Sequence, residues 1–292
     1  MFFGLLLQVI LRQNIIKKSI SKIIDFNIYI SIPFFIFLNT WLYSKTFIIH
    51  NPWAILQIIG ITFFFIIGGV ALSKIHSSIY KIHFNEVSHN IIFMNSLYLG
   101  LPVVQFFLGE NYNNYVILLA VFLGIIQFTF GIRFFLGEKK FISNLIGLLH
   151  IFALVFGIVF SFFELKVSNE VGILSNFLKK IIPPLMLIVV GYRLPIRIKI
   201  LSGAVLTSVL FRLIGGFLIG ILISEIFGFE KEIYCFTLII SSMPPAVNNY
   251  IIQEKFKINP EFAAENVFWG TLLSIIFIPL VGFYLRFSGL LP

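Results

Sequence analysis

Two short runs place polar side chains where the chain is otherwise almost wholly apolar. NSLYLGLPVVQ, residues 95–105, carries Asn95, Ser96, Gly100, Pro102 and Gln105, with Val103 between the last two. SSMPPAVNNY, residues 241–250, carries Ser241, Ser242, Pro244, Pro245, Asn248 and Asn249. No carboxylate stands close to either group of prolines. Amides and hydroxyls are neutral donors and acceptors. A side-chain amide among them can donate to a carboxylate or satisfy freed backbone groups, whereas sodium coupling would want clustered carboxylate and carbonyl oxygens.

The prolines matter because of where they sit. Proline lacks a backbone N–H and clashes with the preceding helical turn. In hydrocarbon each backbone group left without a partner costs several kcal/mol, so an interrupted helix survives only inside protein or beside water. What the interruption offers in return is a half-helix N-terminus at membrane depth. It carries roughly half a positive charge and free amides that an anion can meet.

That the surroundings are a membrane follows from composition. The 292 residues are 59% hydrophobic and 11% charged, with mean hydropathy +1.03. Soluble domains are about 25% charged, and this chain has too little polar surface to cover a globule in water. Its apolar runs recur at about 20 residues, the length of a helix crossing the hydrocarbon, without the alternation of barrel strands. Expected spans lie near 23–44, 52–73, 87–108, 114–136, 141–163, 172–192, 201–223, 233–253 and 262–286. The N-terminal MFFGLLLQVILRQ reads as a short or partial first helix, not a signal peptide. The expectation is an all-α polytopic protein of about ten transmembrane helices in a single membrane domain, 1–292, with brief loops.

Charge supports this parse. Arg12, Lys17, Lys18, Lys22, Lys74, Lys81, Arg133, Lys139, Lys140, Arg193, Arg197, Lys199, Lys255 and Lys257 fall in alternate loops and make up most of the 21 basic residues. By the positive-inside rule those loops are cytoplasmic. Both termini are then expected on the outer side of a cell (inner) membrane. The net charge of +9 is thus topological, and no nucleic-acid partner is expected.

The two polar runs also correspond. Pro102 and Pro245 are 143 residues apart in a chain of 292, and Pro33 and Pro183–Pro184 form an earlier pair. Each half holds a basic loop, a span broken at proline, a short polar loop and a further span. Five spans per half is an odd number, so the second half must enter from the opposite side. This predicts two inverted repeats, 1–136 and 141–292, a pattern that points to a transport site near the bilayer midplane.

Other polar residues are weighed against this frame. Arg212 lies about 20 Å along its helix from Lys199 at 1.5 Å per residue, deep enough to be costly and functional. It could hold an anion or pin a broken helix through its carbonyls, and the second role is preferred. His89, read as a boundary residue, and Glu265 are candidates for a proton-coupled cycle. Gln127 is read as an interhelical hydrogen bond and Glu86 as an acid favouring a helix start. No metal or bound cofactor is expected; a proton or sodium gradient is the energy source to test. Asp25 is the chain's one Asp, Cys235 its one Cys, and neither HExxH nor GxxxxGK[ST] occurs. Zincin, P-loop and clustered-Asp transferase chemistry therefore lack their ligands.

The combination resembles the auxin efflux carrier family of membrane transport proteins. Asn95 followed by Gly100, Leu101 and Pro102 is similar to the family's first broken-helix motif. SSMPPAVNNYIIQEKFKINPEFAAENVFWGTLL, 241–273, is similar to its second; FRLIGG, 211–216, and IPPLMLIVVGYRL, 182–194, are similar to two further segments. The resemblance implies a fold like that of the bile acid:sodium symporters. Helices 4 and 9 would cross at their breaks, and transport would follow elevator-type alternating access. It implies a small organic anion as substrate, an auxin-like carboxylate or a dicarboxylate such as malate or malonate, with Asn95 the leading contact. The lipid bilayer is the expected surrounding and a homodimer a candidate assembly. A sodium-coupled bile-acid-type symporter or an anion channel is the alternative, ahead of an intramembrane enzyme.

Overall fold

Helix α1, Ala54–Tyr80, is 27 residues of nearly uninterrupted apolar sequence and ends where Lys81 turns left-handed at φ 55°. At 1.5 Å per residue it is about 40 Å long, enough to cross a bilayer with tilt. It belongs to a computed structural model that describes residues 22, 26–31, 33–38, 40–42, 53–128, 130–131, 145–163, 168–178, 180–181 and 201–291. The expected first helix, Pro183–Pro184 and most of the expected 172–192 span lie outside the described residues.

After α1 the chain forms α2, Phe84–Ile92, then leaves helical geometry at Phe93, whose backbone is extended. It resumes as a π-turn, Ser96–Gly100, running into α3, Leu101–Leu108. Gly109, at φ 87°, ends α3, and α4 follows at Asn113–Ile126. Next described is α5, Leu145–Phe162. Helix α6, Gly203–Leu210, starts from the Ser202 cap and continues through the π-turn Phe211–Gly215 into α7, Gly216–Phe227. Helix α8, Lys231–Ser241, stops before the prolines, and α9, Val247–Phe256, resumes after them. Asn259 caps α10, Pro260–Phe287, of 28 residues.

Among the described residues no strand is present, and the order of elements repeats. A long helix (α1; α6–α7), a half-helix, an interruption, a second half-helix and a further helix occur in each half. Ala54–Tyr80, Gly203–Phe227 and Pro260–Phe287 are each long and apolar enough to cross a membrane. The half-helices are too short to do so singly.

Packing sorts the apolar residues by neighbour. Phe65, Ile92, Phe93, Leu119, Phe236 and Ile240 are buried in the core. Trp53 just before α1, Leu56 and Phe63 on α1, Leu218 and Leu222 on α7, and Ile276 and Phe283 on α10 point outward. An outer face this apolar is matched to acyl chains rather than to water.

One expectation is corrected here. Pro102 does not break its helix: the interruption is at Phe93–Asn95, two turns earlier, and Pro102 sits in the first turn of α3. Proline is tolerated there because that N–H needs no intrahelical partner. The π-turn immediately before it takes up the change in register. Pro244 and Pro245 do lie within their interruption, between Ser241 and Val247.

Candidate functional site

The two interruptions meet. The backbone N–H of Asn95 donates to the carbonyl of Pro244 at 2.8 Å, and that of Ala246 donates to the carbonyl of Phe93 at 2.9 Å. Met94 and Pro245 face one another between these bonds as a short antiparallel bridge. Each break therefore supplies partners that the other lost, which is how two irregular segments coexist away from water. The crossing is close. A Cβ on Gly100 would lie 2.7 Å from Ile240 Cδ1, and one on Gly270 would run into the Pro245 ring.

Side chains extend the join on both sides. Asn249 Nδ2 donates to the Phe93 carbonyl at 3.1 Å, while its Oδ1 accepts from Gln127 Nε2 at 2.7 Å. One amide thus connects α9, the first interruption and the end of α4. On the other side, Arg212 from the π-turn between α6 and α7 reaches the crossing with its guanidinium. Its NH1 donates to the carbonyls of Ile91, at 2.8 Å, and Ile92, at 3.2 Å, and NH2 donates to that of Ser241 at 2.7 Å. These are the last carbonyls of α2 and of α8, the two groups of acceptors that a helix end leaves unpaired. Arg212 is 2% exposed. It has room because Gly216, one turn on, carries no side chain: a Cβ there would collide with Arg212 NH2 and with the Ser241 carbonyl.

The crossing is therefore polarised. The ends of α2 and α8, each roughly half a negative charge, are met by one guanidinium. The starts of the second half-helices, at Ser96 and at Val247, border a cavity of about 60 Å³ instead. Its wall holds Asn95, Ser96, Gln127 and Asn248 among apolar neighbours that include Ile36, Tyr98 and Phe128. Asn95 is 2% exposed, and its Nδ2 has no hydrogen-bond partner among the described residues. Arg212, Ile91 and Ser241 are not in that wall.

The residues expected from sequence divide accordingly. Asn95, Ser96 and Asn248 line the cavity. Asn249 does not; its amide is used in the join. Ser241 and Ser242 are buried, and both hydroxyls return to the Leu238 carbonyl, at 2.9 and 2.7 Å, on the Arg212 side. Pro244, Pro245 and Gly100 shape the crossing. Pro102 is exposed and Val103 half-buried, and neither reaches the cavity. Gln105 lies at the far end of α3, where Nε2 donates to Glu110 Oε1 at 2.9 Å. His89 is not a solvated boundary residue: it is fully buried in the second turn of α2 with its ring against Phe93. The cause is that α1 packs along α2, with Gly69 admitting Ile92 to within 3.0 Å of where a Cβ would stand. Glu265, in α10, is half-buried and outside the cavity wall. Among the described residues no cluster of His, Cys, Asp or Glu could hold a metal ion.

Sequence reasoning missed Gln127 as a wall residue and Gly216 and Gly220 as the groove that admits the second crossing. The signal for the glycines is present, since 216 and 220 are one turn apart on the face bearing Arg212. The apolar wall carries none, because a residue lining such a cavity and one facing lipid are chosen from the same set.

A helical membrane protein whose two interrupted helices cross and present half-helix starts to a mainly apolar cavity bearing a few amides and a hydroxyl has the architecture of a membrane transporter. Residues 140–281 match the family model described as Membrane transport protein, the membrane transport domain of the auxin efflux carrier family. The matched region includes Arg212 and the whole second interruption. No curated protein matches the chain.

Proposed function

We propose that the protein is a secondary carrier of a small organic anion, an auxin-like carboxylate or a short dicarboxylate, and not an enzyme. The carboxylate docks in the cavity beside the starts of the two second half-helices. The observation that carries this reading is the polarity of the crossing: the cavity receives both positive helix ends and the Asn95 Nδ2, which has no partner among the described residues, while Arg212 neutralises the opposite side. Two helix starts offer roughly one positive charge in total, which matches one carboxylate. Asn95 and Asn248 supply side-chain donors, and Ser96 a hydroxyl.

The antiparallel meeting of the interruptions, and the repeated order of elements in the two halves, favour two inverted five-helix repeats, 1–136 and 141–292. Alternating access of elevator type follows, with the crossing moving as a unit past the helical segment 33–38 that contributes Ile36. The carrier sits in a cell membrane with both termini on the outer side, as a homodimer or singly, and uses no bound cofactor.

Reconstitution into liposomes tests this. Uptake of labelled mono- and dicarboxylates is measured with and without pH and sodium gradients. Saturable uptake of at least one carboxylate, competed by its congeners, is the expected result. A current that never saturates would make the protein a channel, and turnover of a lipid substrate would make it an enzyme.

A further inference from the structure

We propose that the Arg212 guanidinium occupies the place of a coupling cation at the crossing, so that this carrier needs no sodium ion there. In broken-helix carriers the carbonyls at half-helix ends and in unwound backbone are the usual ligands for a coupling sodium or proton. Here the carbonyls of Ile91, Ile92 and Ser241, drawn from both broken helices, are all donated to by one side chain. Arg212 is buried to 98% by its 2% exposure, and its hydrogen bonds go to carbonyls of both α2 and α8.

Charge and geometry both fit the substitution. Two helix C-termini amount to roughly one negative charge, and a guanidinium cancels it with a fork of donors that spans two chains. A sodium ion would need oxygens arranged around a point, and these oxygens already converge on NH1 and NH2. The cation is covalently part of α6–α7, so it travels with the crossing rather than exchanging with solvent. A cycle built this way carries the charge of the anion alone.

The first test uses stability, and so does not depend on the protein being an anion carrier. Purified wild type is melted in sodium chloride and in choline chloride at equal ionic strength. The melting temperature is expected to be the same in both; a saturable, sodium-specific rise overturns the proposal. Arg212→Ala is expected to lose stability and to recover most of it with guanidinium at tens of millimolar, but not with urea, which has the same shape without the charge. Rescue by neither, or by both alike, overturns it.

Should Arg212→Ala not fold, Arg212→Lys and Arg212→Gln give the same answer. The lysine variant keeps the charge and must be the more stable; a glutamine variant equal to or above it overturns the proposal. The transport arm rests on the function proposed above. Wild-type uptake of a carboxylate should be unchanged when choline replaces sodium on both sides, whereas strict dependence on sodium with saturation overturns this assignment while leaving the carrier intact. Absence of uptake for every carboxylate would instead count against the function and leave the melting result standing.

Discussion

Asn95 and Pro244 are joined backbone to backbone, N–H to carbonyl, at 2.8 Å, although they lie in opposite halves of the chain. With the reciprocal bond from Ala246 to Phe93, at 2.9 Å, this makes each interruption the binding partner of the other. An isolated break would leave these groups unpaired at a cost of several kcal/mol. The crossing is therefore a single cooperative element, and its parts should respond to substitution according to whether they hold it together or face the cavity.

Asn95→Ala separates the two roles. Its backbone bond survives the change, and its Nδ2 makes no protein hydrogen bond among the described residues. The melting temperature should therefore stay within error of wild type. Uptake should fall, because a hydrogen bond to a charged group is worth about 1.5–3 kcal/mol, which is roughly 10- to 150-fold in affinity. Melting curves and uptake kinetics measured on the same preparation check this. A variant that loses stability in proportion to uptake would place Asn95 in the framework.

Asn249 should behave in the opposite way. It donates to the Phe93 carbonyl and accepts from Gln127, bonds of 3.1 and 2.7 Å. Asn249→Leu and Gln127→Leu are each expected to destabilise the protein, by about 1–3 kcal/mol for the first, since it leaves other buried groups unpaired. Interhelical hydrogen bonds in membranes average nearer 0.6 kcal/mol, so Gln127→Leu should be the milder. The double variant should cost less than the two added together, and a double-mutant cycle of unfolding in detergent measures that coupling. Strict additivity would mean the side chains do not touch.

How much of this was legible in the sequence depends on the kind of residue. Ala54–Tyr80, Gly203–Phe227 and Pro260–Phe287 fall where the apolar runs put them, because length and hydropathy decide a span. The pairing of the two polar runs was also readable, since amides and prolines inside hydrocarbon need a reason. The position of the first break was not. Pro102 drew attention to itself, yet the backbone opens at Phe93–Asn95, where FMN looks like any other apolar stretch with one amide. Asn248 and Asn249 are neighbours of one type, and only the turn of α9 sends one to the cavity and the other into the join. Arg212 was readable as buried and costly, but its three carbonyl partners come from segments far apart in the chain.

The groove that admits the second crossing can be tested through its glycines. A Cβ on Gly216 would collide with the Arg212 guanidinium and with the Ser241 backbone carbonyl, neither of which can move without opening the join. A Cβ on Gly220 would meet chiefly the Ser241 side chain. Gly216→Ala should therefore abolish or severely reduce monodisperse protein, by overpacking of about 1–3 kcal/mol plus disruption of Arg212. Gly220→Ala should be milder and be partly restored by Ser241→Gly, which removes the side chain it strikes. Size-exclusion profiles of the three variants distinguish the cases. Rescue of Gly216→Ala by the same Ser241→Gly change would show that the obstacle is a side chain and not the backbone.

Gly100 gives the complementary test on the other broken helix. It lies at the end of the π-turn that starts the second half-helix, and an added Cβ would stand 2.7 Å from Ile240 Cδ1 with the Asn95 carbonyl at 3.4 Å. The contact at 2.7 Å is with the far end of an aliphatic side chain, so it can yield, whereas the carbonyl is already at ordinary contact distance. Gly100→Ala should therefore fold with a small loss of stability. Gly100→Val, with two more carbons directed at Ile240 and the Met243 side chain behind it, should lose about 1–3 kcal/mol through overpacking. Because the clash is local, Ile240→Ala should return most of that loss to the valine variant, although the same change alone opens a cavity and costs about 2–5 kcal/mol in wild type. Such reversal of sign between two backgrounds is possible only for residues in contact. Thermal unfolding of the four proteins measures it, and independent losses from the two substitutions would mean that α3 and α8 do not cross at Gly100.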